Sequence, residues 1–248
     1  MVQLKKRTLL PMGIHMTPEA AQVVQFEQVG EELELVSQAS CSFSSPQDTL
    51  TRLVKAESAP GVEDEAPDYT PALRFLRREL GNRFKGKEAV VSLPAEDVTV
   101  KHVRMPPMQP DELAVSLAYE LEDKLPFPTA EAVVRHIVAG SVAENNETKQ
   151  DVLVLAVPRD RVQSHVNFFT RLKLHVVGAG IEPCSMCYGY AFASEHSEPS
   201  QSGPPCLMLV SLGWQRSHVA ILRGQETTFV KPVEKGLDHV TQSVATVT

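Results

Sequence analysis

The sequence predicts an α/β or α+β protein in which strands and helices follow one another along the whole chain. Short runs of β-branched and apolar residues, such as EAVVSL at 88–93 and CLMLVSLG at 206–213, are typical of strands. Longer runs in which apolar residues return every three or four positions, such as 73–84, are typical of helices. Because the two patterns alternate, we expect sheets covered by helices.

The amino-terminal part begins with a predicted β-hairpin. Strands at 21–28 and 32–37 flank Val29-Gly30-Glu31, which suits a tight turn. Residues 57–71 combine prolines and acids without apolar periodicity, and they are therefore predicted to form a loop. The next predicted elements are a helix at 70–84 and strands at 88–93 and 98–105.

The segment DELAVSLAYELEDKLPFP at 111–128 has the features of an amphipathic helix. Pro110 suits the first helical position, and Asp111 and Glu112 lie where the helix dipole favours carboxylates. Leucines recur four residues apart on one side, at 113, 117, 121 and 125. We therefore predict a helix from Asp111 to Leu125 with a buried leucine stripe, ended by Pro126, which cannot continue the hydrogen-bond ladder.

The carboxy-terminal half repeats the mixture of strands and helices. Residues 194–205 are polar and rich in proline and serine, which favours a boundary between two structural parts. The predicted elements are strands at 132–139 and 151–157 around a polar turn at 143–150, a helix at 159–174, a strand at 176–183, a helix at 184–193, and three strands within 206–233.

Composition excludes several classes of protein. The chain of 248 residues carries a net charge of −7 and therefore lacks the basic excess that neutralises nucleic-acid phosphates. No apolar run approaches the ~18 residues of a membrane span, and the first residues, MVQLKKRTLLPMG, lack a signal-peptide core. We expect a cytoplasmic protein that binds no nucleic acid and has no membrane span of its own.

No group of residues has the spacing of a catalytic or metal site. The G-x4-G-K pattern from Gly81 to Lys87 is followed by Glu88 where magnesium binding needs Ser or Thr, and it lies between a helix and a strand in the wrong order. Cys184 and Cys187 have C-x2-C spacing without a second pair, so we interpret them as buried thiols. We expect no catalytic residues and no metal, and hence no enzyme.

A series of segments in a defined order suggests a family. VVSLP and VKHVRMP end two strands, a helix opened by Glu-Leu leads to a Pro-Phe exit, and VVRHIVAG, DVLVLAVPRDRV and GIEP follow. This order resembles the PilM family, actin-like cytoplasmic proteins of type IV pilus assembly. The resemblance implies an α/β, actin-like fold of the FtsA/PilM type. Its parts would be subdomain 1A from 1–93 and 173–198, an inserted subdomain 1C at 94–172, and an incomplete domain 2 with the start of subdomain 2A at 206–248.

The resemblance also implies a partner. PilM-like proteins lie under the inner membrane and hold the short cytoplasmic tail of a membrane protein, PilN. In this chain the residues expected near the partner or a neighbouring subunit are Tyr119, Glu120, Pro126, Phe127 and Pro128. The alternative, that these residues only close the core of the inserted subdomain, remains open, as does self-association.

The first nucleotide motif departs from the family pattern. The family's first phosphate hairpin resembles G-x-D-x-G-S/T-x-x-x-K, and here only Gly13 matches. His15 stands for the aspartate, Thr17 for the glycine, Pro18 for the Ser or Thr and Gln22 for the lysine. The resemblance therefore implies a degenerate first hairpin.

The second nucleotide motif has lost its charge as well. In the family's D-x-G hairpin, Ser211 replaces the aspartate, while Gly213 remains. Of the Gly-Gly pair on the adenosine side, Gly236 remains and Leu237 replaces its neighbour. ATP and magnesium are thus implied by the resemblance alone, and the residues present favour a vestigial site.

The resulting interpretation is a non-catalytic adaptor of the inner-membrane platform of a type IV pilus or a related type II secretion system. It would be peripheral at the inner membrane through a PilN-like partner. Two alternatives remain: an active actin-like ATPase of the same machinery, and a cytoplasmic domain like that of the secretion protein GspL.

Overall fold

A computed structural model describes residues 6–16, 20–42, 70–93, 97–144, 146–194, 206–213, 216–237, 239–240 and 243. The chain forms two compact units. The first comprises Met1–Ser92 and Val166–Gly180, and the second comprises Leu93–His165 and Ile181–Thr248. This division does not test the four predicted subdomain ranges, which remain a prediction.

Strands and helices alternate as the sequence predicts. The strands are β1 (Arg7–Leu9), β2 (Met12–Met16), β3 (Ala20–Val29), β4 (Glu32–Ser42), β5 (Glu88–Leu93), β6 (Thr99–Met105), β7 (Ala132–Glu144), β8 (Glu147–Pro158), β9 (His175–Ile181), β10 (Cys206–Leu212), β11 (Ser217–Arg223) and β12 (Glu226–Val233). The helices are α1 (Thr70–Asn82), α2 (Pro110–Glu120), α3 (Arg159–Arg171) and α4 (Glu182–Ser194). None of the helices in the described part of the chain is long and apolar enough to cross a membrane.

The first unit is built on one mixed sheet. Its strand order is β1-β3-β2-β5-β9, and β4 pairs with β3 in the predicted hairpin. Gly30 closes this hairpin with a φ of 69°, a left-handed conformation that glycine adopts without strain. Strand β2 runs antiparallel to β3 and parallel to β5, so it lies inside the sheet.

The side chain of Gln25 is a polar group in the core of the first unit, and its hydrogen bonds are satisfied. Met12, Ile14, Phe75 and further apolar residues form the surrounding cluster. Gln25, only 1% exposed, donates from Nε2 to the carbonyls of Leu10 and Lys85 at 3.2 and 2.7 Å. Its Oε1 accepts from the Lys85 amide at 2.9 Å. This glutamine therefore fixes the turn that leads from α1 into β5.

The second unit contains two antiparallel sheets of three strands. One has the order β6-β8-β7, and the other has the order β10-β11-β12. Helix α4 packs through Cys184, Cys187 and Ala191 into a cluster that also holds Leu153 and Leu222. Because these three helical residues lie three and four positions apart, they form one buried face.

Helix α2 covers the other face of the β6-β8-β7 sheet, as its leucine stripe predicts. Leu113, Leu117 and Leu121 are at most 1% exposed and pack against Val103 and Val152 of the sheet. The capping box at the start of the helix has Gln109 as N-cap and Glu112 as its partner, and Pro110 takes the first helical position.

The predicted end of this helix is wrong by several residues. The helix ends at Glu120 and is capped by Leu121, whereas the prediction continued it to Leu125. The amides of Glu122 and Lys124 bond to carbonyls three residues back, so the chain tightens into turns. Pro126 disfavours the helical conformation in Leu125, so the helix does not resume after these turns. Leu125 still packs against the same core.

Other predicted boundaries also shift. The predicted turn at 143–150 is mostly strand, because β7 and β8 pair as far as Glu144 and Glu147. Helix α3 ends at Arg171, since Lys173 has a φ of 61°. Helix α1 ends at Asn82, two residues early. The predicted loop up to residue 69 and the predicted boundary from 195 to 205 lie outside the described residues.

Candidate functional site

The second unit brings a serine and a glutamate together at the end of strand β10. Ser211 lies one residue before the end of this strand, and Glu182 is the first residue of helix α4. Ser211 Oγ donates a hydrogen bond to Glu182 Oε1 at 3.0 Å. The position where the resemblance implies an aspartate therefore carries a neutral donor, and its hydroxyl is already used by a neighbouring carboxylate.

A buried histidine lies beside this pair. His218 is opposite Ser211 in the register of β10 and β11 and is 6% exposed. Burial lowers the pKa of His218 below its ordinary value, an effect that Glu182 opposes without reversing it. Its Nε2 atom is buried and has no hydrogen-bond partner in the described part of the chain. The side chain is therefore neutral at pH 7.

Gly213 lies where the backbone leaves no room for a side chain. A Cβ atom at Gly213 would be 2.4 Å from the backbone oxygen of Arg216, closer than real contacts allow. Its carbonyl accepts a hydrogen bond from the Leu237 amide at 3.0 Å, next to the buried Gly236. The structure therefore brings together the predicted residues Ser211, Gly213 and Gly236.

The remaining predicted nucleotide-site residues belong to the first unit. Gly13 lies on β2 opposite Val24, and a Cβ there would contact Val24 Cγ1 at 3.1 Å. His15 is half-buried on the same strand, opposite Gln22, so the two family substitutions are cross-strand neighbours. Thr17 lies outside the described residues. The assignment of these positions to a vestigial nucleotide site stays a prediction.

The predicted partner-binding residues lie in the last turn of helix α2 and in the segment that follows it. Tyr119 is 72% exposed, and Pro126 and Pro128 are exposed, while Phe127 is half-buried. Glu120 forms an ion pair and a hydrogen bond with Lys124 one turn later. Tyr119, Pro126 and Pro128 are thus accessible, while Leu121 and Leu125 between them pack in the core.

An open cleft of about 640 Å³ lies elsewhere in the second unit. Across it, Glu144 accepts from Arg104 Nη1 at 2.8 Å and pairs with Lys149 Nζ at 2.9 Å. Lys149 and then Arg104 hold the pKa of the Glu144 carboxyl below its usual range. His102 stacks on Phe229 at one wall, with ring centroids 4.7 Å apart. None of the predicted site residues within the described ranges lines this cleft.

The cysteines of the C-x2-C pattern are buried as interpreted. Cys184 and Cys187 are 4% and 0% exposed, and both are free thiols. Burial raises the pKa of Cys184 to about 12, so its reactive thiolate form is suppressed. No group of three or more metal-ligating side chains occurs in the described ranges.

Sequence reasoning missed Glu182 and His218. Glu182 lies within the GIEP segment, which indicates the family but no role for this residue. His218 lies within an apolar strand sequence, where nothing in the local pattern distinguishes a buried histidine from an exposed one. Glu182 and His218 can be recognised as neighbours of Ser211 only from the packing of α4 against β10 and β11.

The fold is that of an actin-like protein. More specifically, the chain belongs to the family of the type IV pilus assembly protein PilM, whose family model matches residues 15–247. A sequence search found no curated protein that matches. The expectations of an actin-like fold and of PilM membership are therefore confirmed.

A solved structure agrees with this fold. A chain of a PilM-PilN type IV pilus biogenesis complex superposes with a TM-score of 0.68 at 18% identity, over 96% of this chain and 65% of that one. This chain thus spans less than two-thirds of that protein. The cytoplasmic domain of EpsL, an inner-membrane component of the type II secretion system of Vibrio cholerae, gives a TM-score of 0.49 at 15% identity, over 92% and 71% of the two chains.

Proposed function

We propose that this protein is a non-catalytic adaptor of a type IV pilus, or a related type II secretion, inner-membrane assembly platform. It lies in the cytoplasm and holds the cytoplasmic tail of a PilN-like membrane protein. The observation that carries the proposal is the match of 96% of this chain to a chain of a PilM-PilN complex, together with the family match. The exposed end of helix α2 supplies accessible aromatic and proline residues for such a contact.

The chemistry of the second hairpin supports the absence of catalysis. Magnesium bound to nucleotide phosphates prefers hard, charged oxygen ligands. Ser211 offers an uncharged hydroxyl that is already donated to Glu182, and His218 nearby is neutral and buried. At the first hairpin His15 stands for an aspartate, and a histidine nitrogen is a poor magnesium ligand. These residues do not fit a magnesium-nucleotide complex.

One observation favours the alternative, an actin-like ATPase. Glu182 places a carboxylate oxygen 3.0 Å from Ser211, so negative charge persists beside the position of the lost aspartate. If this carboxylate substitutes for the aspartate, magnesium and ATP should stabilise the protein, and Glu182→Gln should abolish that stabilisation. Glu226→Gln, at an exposed glutamate of β12 in the same unit, is the matched control for loss of one carboxylate.

Calorimetry with a synthetic tail tests the adaptor. The peptide comprises the whole cytoplasmic segment of the PilN-like protein of the same organism. We expect micromolar or tighter binding by a few anchored apolar side chains. Alanine at the anchors should abolish binding, and scrambling the remaining peptide residues should not. A folded chain that gives no binding heat with this peptide would contradict the proposal.

A further inference from the structure

The outward side of helix α2 carries an apolar pair that faces solvent. Val115 is 61% exposed and Tyr119 is 72% exposed. The two lie four residues apart and therefore on the same face of the helix. The buried leucines of α2 occupy the opposite face. These two large side chains therefore form one exposed, largely apolar surface on the outer side of the helix.

Carboxylates flank this ridge at both ends. Asp111 lies one helical turn before Val115, and Glu122 follows Tyr119 in the closing turn. These four residues are exposed, and we name the surface that they form the α2 ridge. Glu112 and Asp123, beside them, are also exposed. The one cation between 109 and 125 is Lys124, which is paired with Glu120. The ridge is thus apolar at its centre and acidic at both ends.

The charges and apolar side chains of the α2 ridge determine which kind of segment can bind there. A complementary segment needs lysine or arginine for the carboxylates and an apolar side chain to cover Val115 and Tyr119. The cytoplasmic residues next to a membrane span are enriched in lysine and arginine. The lipid surface itself is anionic on this side of the membrane and would be repelled by the same carboxylates.

We propose that the α2 ridge binds the basic segment of the membrane partner that lies between its tail and its membrane span. The inference rests on the proposed function, because it assumes that a PilN-like protein is held by this chain. The bound segment is a lysine- or arginine-rich stretch with one apolar anchor, and it lies on helix α2. Binding at this surface also sets the distance between the protein and the membrane.

Two ridge variants test the surface without touching the leucine core. Tyr119→Ala removes the apolar centre, and Glu122→Lys reverses one flanking charge. Glu31→Lys, exposed in the turn between β3 and β4, is the control with the same change in net charge. Each protein is titrated with the whole cytoplasmic segment of the PilN-like partner, after its melting temperature confirms that it is folded.

We expect Tyr119→Ala to weaken binding about tenfold, as loss of an aromatic anchor does. Glu122→Lys should weaken it about fivefold at low salt, with a smaller difference at high salt, while Glu31→Lys stays near wild type. A peptide with one juxtamembrane lysine changed to glutamate should regain affinity for Glu122→Lys. Regained affinity would place that lysine against the ridge.

The outcomes separate the two proposals. If the wild-type chain binds the segment and both ridge variants bind equally well, the ridge assignment is overturned and the adaptor role stands. If the wild-type chain does not bind the segment, both the ridge assignment and the adaptor role are contradicted. Vesicles containing phosphatidylglycerol provide the lipid comparison. Binding of the chain to these vesicles that Tyr119→Ala abolishes would assign the ridge to the membrane surface and overturn the proposal.

Discussion

Ser211 and Glu182 are joined by a hydrogen bond of 3.0 Å between residues 29 positions apart in the sequence. The serine hydroxyl donates and the glutamate carboxylate accepts, so the pair carries one negative charge. In an actin-like protein of the PilM family the serine position is expected to hold an aspartate. A serine at this position donates to the glutamate, whereas two carboxylates at this distance would repel one another.

The first prediction concerns this pair. Ser211→Asp should lower the melting temperature at pH 7, because the new carboxylate meets Glu182 and the pKa of one of them rises in the folded state. A raised folded pKa costs stability above that pKa, and the cost disappears as pH falls below the ordinary carboxyl pKa of about 4. Thermal melts at pH 7 and pH 4 measure this difference.

Ser211→Ala is the matched control for that substitution. It removes one hydrogen bond to a charged acceptor without adding charge, so it should cost about 1–3 kcal/mol with little pH dependence. If Ser211→Asp is as stable as the wild-type protein at pH 7, the repulsion between the two carboxylates is absent and this explanation is wrong.

The second prediction tests the position of helix α2. Leu117 is 1% exposed against the β6-β8-β7 sheet, so Leu117→Asp would bury a charge without a partner and should cost about 3 kcal/mol or more. Ala114→Asp introduces the same group at an exposed position of the same helix and should be nearly neutral. Equal urea midpoints for Leu117→Asp and the wild type would refute the packing.

The third prediction is a pH dependence from His218. Its pKa is lowered in the folded protein by burial, so the unfolded chain takes up a proton more readily. The contribution of His218 to the free energy of unfolding has its full value above the unfolded pKa of about 6.5. It declines as the pH falls from there towards the folded pKa. Denaturant midpoints from pH 8 to pH 5 should fall more steeply for wild type than for His218→Gln. Parallel curves would show that His218 does not contribute.

The fourth prediction concerns the buried glutamine of the first unit. Gln25→Ala leaves the Lys85 amide and two carbonyls without their partner, which should cost about 2–4 kcal/mol when the cavity is included. Gln28→Ala, at an exposed position of the same strand, should change stability little. Chemical denaturation of the two variants distinguishes them, and equal midpoints would mean that Gln25 does not anchor the turn.

Local patterns predicted the elements that depend on neighbours in the sequence. The hairpin at Gly30 follows from one glycine between two apolar runs, and the face of α2 follows from leucines four residues apart. The local sequence patterns gave a wrong prediction where the pairing of two strands overrides the polar composition of a segment. Residues 143–150 are polar enough for a loop, yet most of them are paired in β7 and β8, because a long antiparallel pair satisfies their backbone groups.

The candidate site was only partly predictable for a related reason. Family order located Ser211, Gly213 and Gly236, and the structure brings these three together. The partner of Ser211 could not be found from sequence, since Glu182 comes from another element and its local pattern resembles any helix start. Gln25 was missed for the same reason, because nothing within β3 shows that its amide reaches Leu10 and Lys85.

The most direct test of the adaptor account is one calorimetric titration, in which the cytoplasmic segment of the PilN-like partner is added to the folded chain with and without magnesium-ATP. The account predicts saturable binding of the same affinity in both buffers, no heat from ATP alone, and no phosphate release. Binding or turnover of ATP by the unmodified chain, with no heat from the partner segment, would contradict it.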